Sequence, residues 1–456
     1  MIFSKYNCLM IVMRKVVSIP SQSTATLGLV DGDLNVGEGS IIKAESGLES
    51  IKVSGIVNCK GDCQFKCGLT AKSLNGHDGE ITIEGDLSVD NVKIRRGSLH
   101  VTGSISAKTL DVDKRVTVGG DFNVEKANIG GSLEVNGNTK TINVSVGGTF
   151  KAHGNVEMET IDVGGSIEVK GGLKGLEIEV GGSLRGEGPV EVKKISAGGM
   201  VKIEGKVNIE DIEVGGVVTI NGGEVKGKIN VGGTFETKNS LKFNKIEVGG
   251  SVKLSNKCEG GSIEVGGSLK VDGDLKFTKI DVGGSVEITG DAEGEEIDVG
   301  GKVIVGGALN LSGKLDVGGK AEIGRHAKVK TVDVGGSIKA LRIEASESIR
   351  VGGSIETIEG AKATYIEVGR RGEVKGPLIG VNIKVGERAK VEDIYAENLT
   401  LEENAKARNI YAKRIYVESG CRILGEVQYT ESLEIEEKVI FTKTPVKVEK
   451  LPQPPF

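Results

Sequence analysis

Between Val144 and Gln428 apolar and polar residues alternate in a pattern that returns about every seventeen residues. The repeat beginning at Ile263 shows it: Ile263, Val265, Leu269, Val271, Leu275 and Phe277 are apolar, at positions 1, 3, 7, 9, 13 and 15, and the residue inside each pair is polar. A spacing of two is strand alternation, and the Gly-Gly-Ser, Gly-Asp or Lys residues between pairs mark turns. The pattern therefore predicts three short strands per repeat, each turning two side chains inward, so that one repeat is one coil. The expected fold is all-β, a single-stranded parallel β-helix (β-solenoid). Neighbouring coils pair backbone to backbone at about 4.8 Å, so no coil is stable alone.

The spacing is strict. Gly-Gly pairs begin at Gly130, Gly147, Gly164, Gly181, Gly198, Gly215, Gly232, Gly249, Gly266, Gly283 and Gly300, each seventeen residues from the next, and the phase returns at Gly318, Gly335 and Gly352. A constant short period leaves no room for helices. A corner that reverses direction within three residues suggests backbone with φ > 0, which glycine adopts without a Cβ clash. Stacked corners then predict a glycine seam, flanked by a file of Ser132, Thr149, Ser166, Ser183, Thr234, Ser251, Ser268 and Ser285.

Four sections follow along the chain. Residues 1–26 lie outside the repeat and read either as a disordered leader, with Met13 a possible alternative start, or as a peripheral membrane toe. In the second reading Ile2, Phe3, Leu9 and Ile11 meet the membrane above Lys5, Arg14 and Lys15. The apolar run from Cys8 to Met13 is too short to span a bilayer. Residues 27–365 form the glycine-rich solenoid, whose early corners use Gly32-Asp33, Gly61-Asp62 and Gly85-Asp86. Residues 366–440 are glycine-poor coils carrying Tyr365 at their border and then Tyr395, Tyr411, Tyr416 and Tyr429. Tyr395 and Tyr411 read as position 13 residues entering the core, with an exposed aromatic face as the alternative. Residues 441–456 are a Pro-rich tail, expected to add no ladder strand and to serve as a cap, a flexible extension or a docking peptide. At about 4.8 Å per coil, about 24 coils correspond to a rod of about 110 Å.

Composition narrows the function. Glycine supplies 71 of 456 residues, aromatics 3%, and tryptophan none, which is a solenoid's usage. With 59 basic and 64 acidic residues mixed along the chain, no nucleic-acid footprint is present. The Gly-rich turns are corners, since no GxxxxGK[ST] precedes a helix. His77, His100, His153 and His326 fall in separate coils, which disfavours a histidine-based acid, base or metal site. Cys258 and Cys421 take inward positions. Cys59 and Cys63, read at positions 9 and 13 in the phase of Ile51 and Val53, pack inward beside Phe65, and with Cys67 their spacing is not a common zinc pattern. Reduced thiols suit a cytoplasm.

One outward feature recurs. Position 2 is acidic at Asp162, Glu179, Glu213, Glu247, Glu264, Asp281, Asp298, Asp316, Asp333 and Glu367. Carboxylates stacked one coil apart repel, and lysines such as Lys245 and Lys279 are expected to relieve them. The file reads as a solvated face, or else as a strip for divalent cations or a basic partner.

Short coils such as Gly85-Asp86-Leu87-Ser88-Val89 and Gly165-Ser166-Ile167-Glu168-Val169, with the glycine-poor last coils, resemble bactofilins, the polymer-forming cytoskeletal proteins of prokaryotes. The resemblance covers nearly the whole repeat region, and this chain is much longer than the usual member. It implies a right-handed β-helix that polymerises end to end without nucleotide and associates with membrane through a short N-terminal peptide. The expected protein is a cytoplasmic, membrane-associated or free, non-enzymatic scaffold without cofactors, its partner being other copies of itself. Open strand edges at each end would drive assembly, with Leu34 and Val36 acting at one end and Ile423, Val427 and Leu433 at the other. Val427→Arg is expected to abolish assembly and leave the central coils folded. The competing reading is a surface or secreted adhesin that binds polysaccharide or divalent cations along its long face.

Overall fold

The computed structural model describes residues 15–456, which divide into two units, one up to Ile209 and one from Glu210 to Phe456. Both units are all-β, without a helix among the described residues. Each is a parallel β-solenoid whose register is one repeat. In the first, Ser132–Val135 pairs residue for residue with Thr149–Ala152, and the file continues through Ser166–Val169 and Ser183–Gly186. In the second, Ser251–Ser255, Ser268–Asp272 and Ser285–Ile288 stack in the same way.

The three sides of a coil follow from where the alternation breaks. Along Thr139–Val146 the buried residues are Thr139, Thr141, Val144 and Val146, and two successive outward residues, Ile142 and Asn143, separate the pairs. That break turns the chain from the third side to the first without interrupting the ladder. Inside, identical positions stack: Val144, Ile161, Ile178 and Ile195 form one buried file in the first unit, and Ile246, Ile263, Ile280 and Ile297 form one in the second. Outside, unlike charges face each other one coil apart, as in Lys253–Glu236 at 3.1 Å and Lys276–Glu293 at 2.7 Å. Such exposed pairs contribute about 0–1 kcal/mol each.

The glycine seam and its Ser/Thr file are present, but the seam glycines do not have left-handed φ. Their requirement is spatial. A Cβ on Gly164 would lie 2.5 Å from the carbonyl oxygen of Gly147, and one on Gly181 2.3 Å from that of Gly164. The expectation of positive φ at this corner is thus corrected: the coils approach too closely there for any side chain. Positive φ occurs instead at Gly32, Gly61, Gly85 and Gly273, each followed by aspartate.

Of those Gly-Asp corners, Gly61-Asp62 does stand at the seam, since Cys63 stacks with Ile81, Leu99, Val116 and Leu133, but Gly85-Asp86 does not. Leu87, after Gly85-Asp86, pairs with Ile105, and Ile105 with Phe122, which puts this corner before the third side. There the second residue builds a ladder. The Asp86 carboxylate accepts from Ser104 N–H at 2.7 Å, Ser104 Oγ from Asp121 N–H, Asp121 from Asn138 N–H, and Asn138 from Asn155 N–H. Each coil's side chain thereby satisfies the next coil's turn.

Ladder limits and phase also need correction. Among the described residues the ladder is present from Val16, not from Leu27: Val16–Ile19 pairs with Asp33–Val36, and Thr24–Leu27 with Ser40–Ala44. Ile51 pairs with Leu69, and Leu69 with Leu87, so Ile51 belongs to the third side. Cys59 and Cys63 therefore sit at positions 3 and 7, still inward and buried. The sixteen-residue step of the last coils puts Ile394 and Ile410 at position 13, fully buried. Tyr395 and Tyr411 are displaced to the outward neighbour, half-buried and stacked with ring centroids 5.0 Å apart. The Pro-rich tail does extend the ladder: Ile440–Phe441 pairs on Arg422–Ile423, and Val446–Lys447 on Gln428–Tyr429. Pro445 stands just before that strand, where its missing N–H costs no ladder bond.

Candidate interaction surfaces

An unpaired strand edge is the strongest adhesive feature a solenoid offers, because its N–H and C=O groups have no partner. Among the described residues, Val16–Ile19 has a strand on one side only, Asp33–Val36, and Val16 is half-exposed. In the second unit the stretch Ser432 to Ile435 stacks on Arg414 to Val417, and nothing follows it in the ladder. Its apolar side chains Leu433 and Ile435, together with Ile440 and Val446 of the last strands, are part-exposed or exposed.

Of the residues expected to drive assembly, Leu433 is on this open edge. Leu34 and Val36 lie one coil inside, covered by Val17 and Ile19. Ile423 lies beneath Phe441, and Val427 is 2% exposed in the core. Arginine at Val427 would bury a charge and disrupt the last coils, so it is a folding probe and not an assembly probe. The open-edge residues Val16, Ile435, Ile440 and Val446 were not singled out from the sequence, because the ladder's true limits were hidden by its irregular first and last coils. Ile2, Phe3, Leu9 and Ile11 lie outside the described residues.

The acidic file exists as a continuous row in the second unit: Glu247, Glu264, Asp281, Asp298, Asp316 and Asp333 are paired in register. The file beside it carries Lys228, Lys245 and Lys279, interrupted by Ser262 and followed by Glu296. Lys245 Nζ is 2.7 Å from Glu247 and 3.0 Å from Glu264, and Lys314 pairs with Asp316. Lys228 and Lys245 hold the Glu247 carboxyl below its ordinary pKa. Lys279 instead reaches Glu296 at 3.9 Å. Lysines thus pair with Glu247, Glu264 and Asp316 of this row.

Cys59, Cys63, Cys67, Cys258 and Cys421 are free and buried, as core packing requires. Hydrogen bonding with Cys63 and then burial push the Cys59 thiol well up, and burial pushes up Cys67, Cys258 and Cys421. The histidines remain in separate places: His77 bonds Asp78, His153 lies 4.0 Å from Glu134 and His326 3.8 Å from Glu359. No group of three or more His, Cys, Asp or Glu suited to a metal ion occurs among the described residues.

Two shallow grooves follow the third side. One, of about 610 Å³, has Ala71, Val89, Ala107 and Val124 as its floor. The other, of about 500 Å³, has Val329, Ala345, Ala363 and Gly380 as its floor and Lys362 and Ile379 on its rim. Small residues at position 15 make both. No known family model, curated protein or solved structure matches the chain.

Proposed function

We propose that the protein is a non-enzymatic structural scaffold, bactofilin-like in its mode of use, which assembles end to end through its terminal coils without nucleotide. The observation that carries this reading is the open ladder edge bearing Leu433, Ile435, Ile440 and Val446. An edge with unpaired backbone groups and exposed apolar side chains favours a second strand. Its counterpart is Val16–Ile19, paired on one side only among the described residues. The buried free thiols suit a reducing cytoplasm.

The test is negative-stain electron microscopy of the purified full chain in nucleotide-free buffer. Filaments one solenoid wide are expected. The double variant Ile435→Lys and Ile440→Lys places charge on exposed edge positions and is expected to leave single particles with unchanged circular dichroism. Single particles from the unaltered chain across micromolar concentrations would refute end-to-end assembly. Contact with membrane through Ile2, Phe3, Leu9 and Ile11 is a separate part of the proposal. It is checked by whether the full chain pelleted with anionic vesicles loses that behaviour when residues 1–14 are removed.

A further inference from the structure

Residues 448–456, Val-Glu-Lys-Leu-Pro-Gln-Pro-Pro-Phe, follow the last paired strand, and Val448 N–H makes its final bond to the ladder, to Tyr429 C=O at 2.9 Å. Their last ring, Phe456, lies 4.6 Å from the Arg342 guanidinium carbon and 5.8 Å from Lys362 Nζ. These cations are several coils back. The file through Val446 passes Gln428, Tyr411, Tyr395 and Ile379 before it reaches Lys362. Five steps of about 4.8 Å make about 24 Å, and nine residues in extended polyproline geometry reach about 28 Å. The segment must therefore run almost straight, back along the outside of the solenoid. Pro452, Pro454 and Pro455 favour that shape before docking and lower its ordering cost.

The receiving surface is shaped to match. Gly360 has φ of +127°, and a Cβ there would lie 2.7 Å from Phe456 Cε1 and 2.8 Å from Pro377 Cγ. Only glycine leaves room for the ring. Arg342 is held by Glu359 at 2.7 Å and Glu344 at 3.0 Å, so its planar guanidinium is oriented independently of the ring. Ile379 faces outward in the file, yet it is 7% exposed. Its neighbours in the file, Lys362 and Tyr395, flank it on either side.

We propose that Arg342, Gly360, Lys362 and Pro377 form a peptide-docking site for a proline-rich segment carrying an aromatic anchor. Its occupant is this chain's own 448–456, which clasps the last coil shut. That coil needs a clasp because its strands, Ile440–Phe441 and Val446–Lys447, have two residues each. Strands that short hold little protection by themselves.

Hydrogen exchange read by mass spectrometry tests this on the full chain. In Phe456→Ala, amides of residues 436–447 are expected to exchange at least about tenfold faster, with 378–417 unchanged, since a desolvated aromatic anchor carries most of such a contact. Arg342→Glu, which attacks the site from the other side, is expected to do the same. A blocked synthetic peptide of the 448–456 sequence, added to the Phe456→Ala protein, is expected to restore protection. The same peptide with alanine for phenylalanine is expected to bind about tenfold more weakly or worse. Unchanged exchange in both variants would overturn the clasp. A peptide that fails to restore protection, or that works equally well without its ring, would overturn the docking site.

Discussion

Replacing Gly164 by alanine, and in a separate protein Gly186 by alanine, sets one methyl group in two kinds of strand environment. At Gly164 the new Cβ would lie 2.5 Å from the carbonyl oxygen of Gly147, where a comfortable contact needs about 3.5 Å. The two coils must part by about 1 Å at the seam. Both backbone bonds there, Gly164 N–H to Val146 C=O and Gly165 N–H to Gly148 C=O, each 2.9 Å, are stretched. At about 1 kcal/mol net for each bond, plus local strain, the expected loss is about 2–3 kcal/mol. Gly186 differs, since it points into the core and an added Cβ would meet Val190 Cγ2 at 3.5 Å and Ile203 at 3.9 Å. Its φ is not left-handed, so alanine fits and restricts the unfolded chain, a gain of about 0.5–1 kcal/mol. Stacked coils do not always unfold together. The assay is therefore amide exchange in Thr160–Val163 and Ser166–Val169 beside urea unfolding. Equal effects of the two substitutions, or the opposite order, would refute the argument that the seam is set by coil approach.

Thr139 is an inward residue whose hydroxyl is buried without a hydrogen-bond partner. Thr139→Val keeps the shape and removes the orphan, so it should raise stability by about 1 kcal/mol in urea unfolding. Asp121→Ala removes the acceptor for Asn138 N–H and should cost about 1–2 kcal/mol, with Asp121→Asn recovering most of it. Asp393 has its carboxyl pKa lowered first by the Arg408 side chain, at 2.7 Å and 3.0 Å, and also by Asn409. A lowered folded pKa contributes stability fully present above about pH 4 and lost as pH falls through the lower value. Protection factors in Lys390–Leu401, corrected for intrinsic exchange, should therefore fall on acidification below pH 4, and Asp393→Asn should flatten that response.

The regular middle of the chain was readable because its alternation is visible without any partner. Ile263, Val265, Leu269 and Val271 are inward, and the Ser/Thr file stacks as spacing alone implies. The first and last coils were less readable. Local spacing points Ile51 to the wrong side and favours the core for Tyr395, because added or missing residues at corners shift phase without changing the local alternation. The interaction surfaces were legible in kind, as strand edges, but not in place. An edge is defined by which strand has no neighbour, and Val16–Ile19 looks in sequence like any short apolar run.

The repeat, the number of sides to a coil and the inward residues follow from the order of residues alone, since a period of two inside a period of seventeen has one economical solution in three dimensions. The tertiary structure decided what depends on separation between coils. It put the seam glycines under a steric demand instead of a left-handed one, because the obstructing carbonyl belongs to a residue one repeat away. It joined Asp86, Ser104, Asp121 and Asn138 into a ladder, and it brought Phe456 back to Arg342. Such contacts have no local signature, because the atoms that meet are set by stacking and chain reach and not by neighbours in the chain.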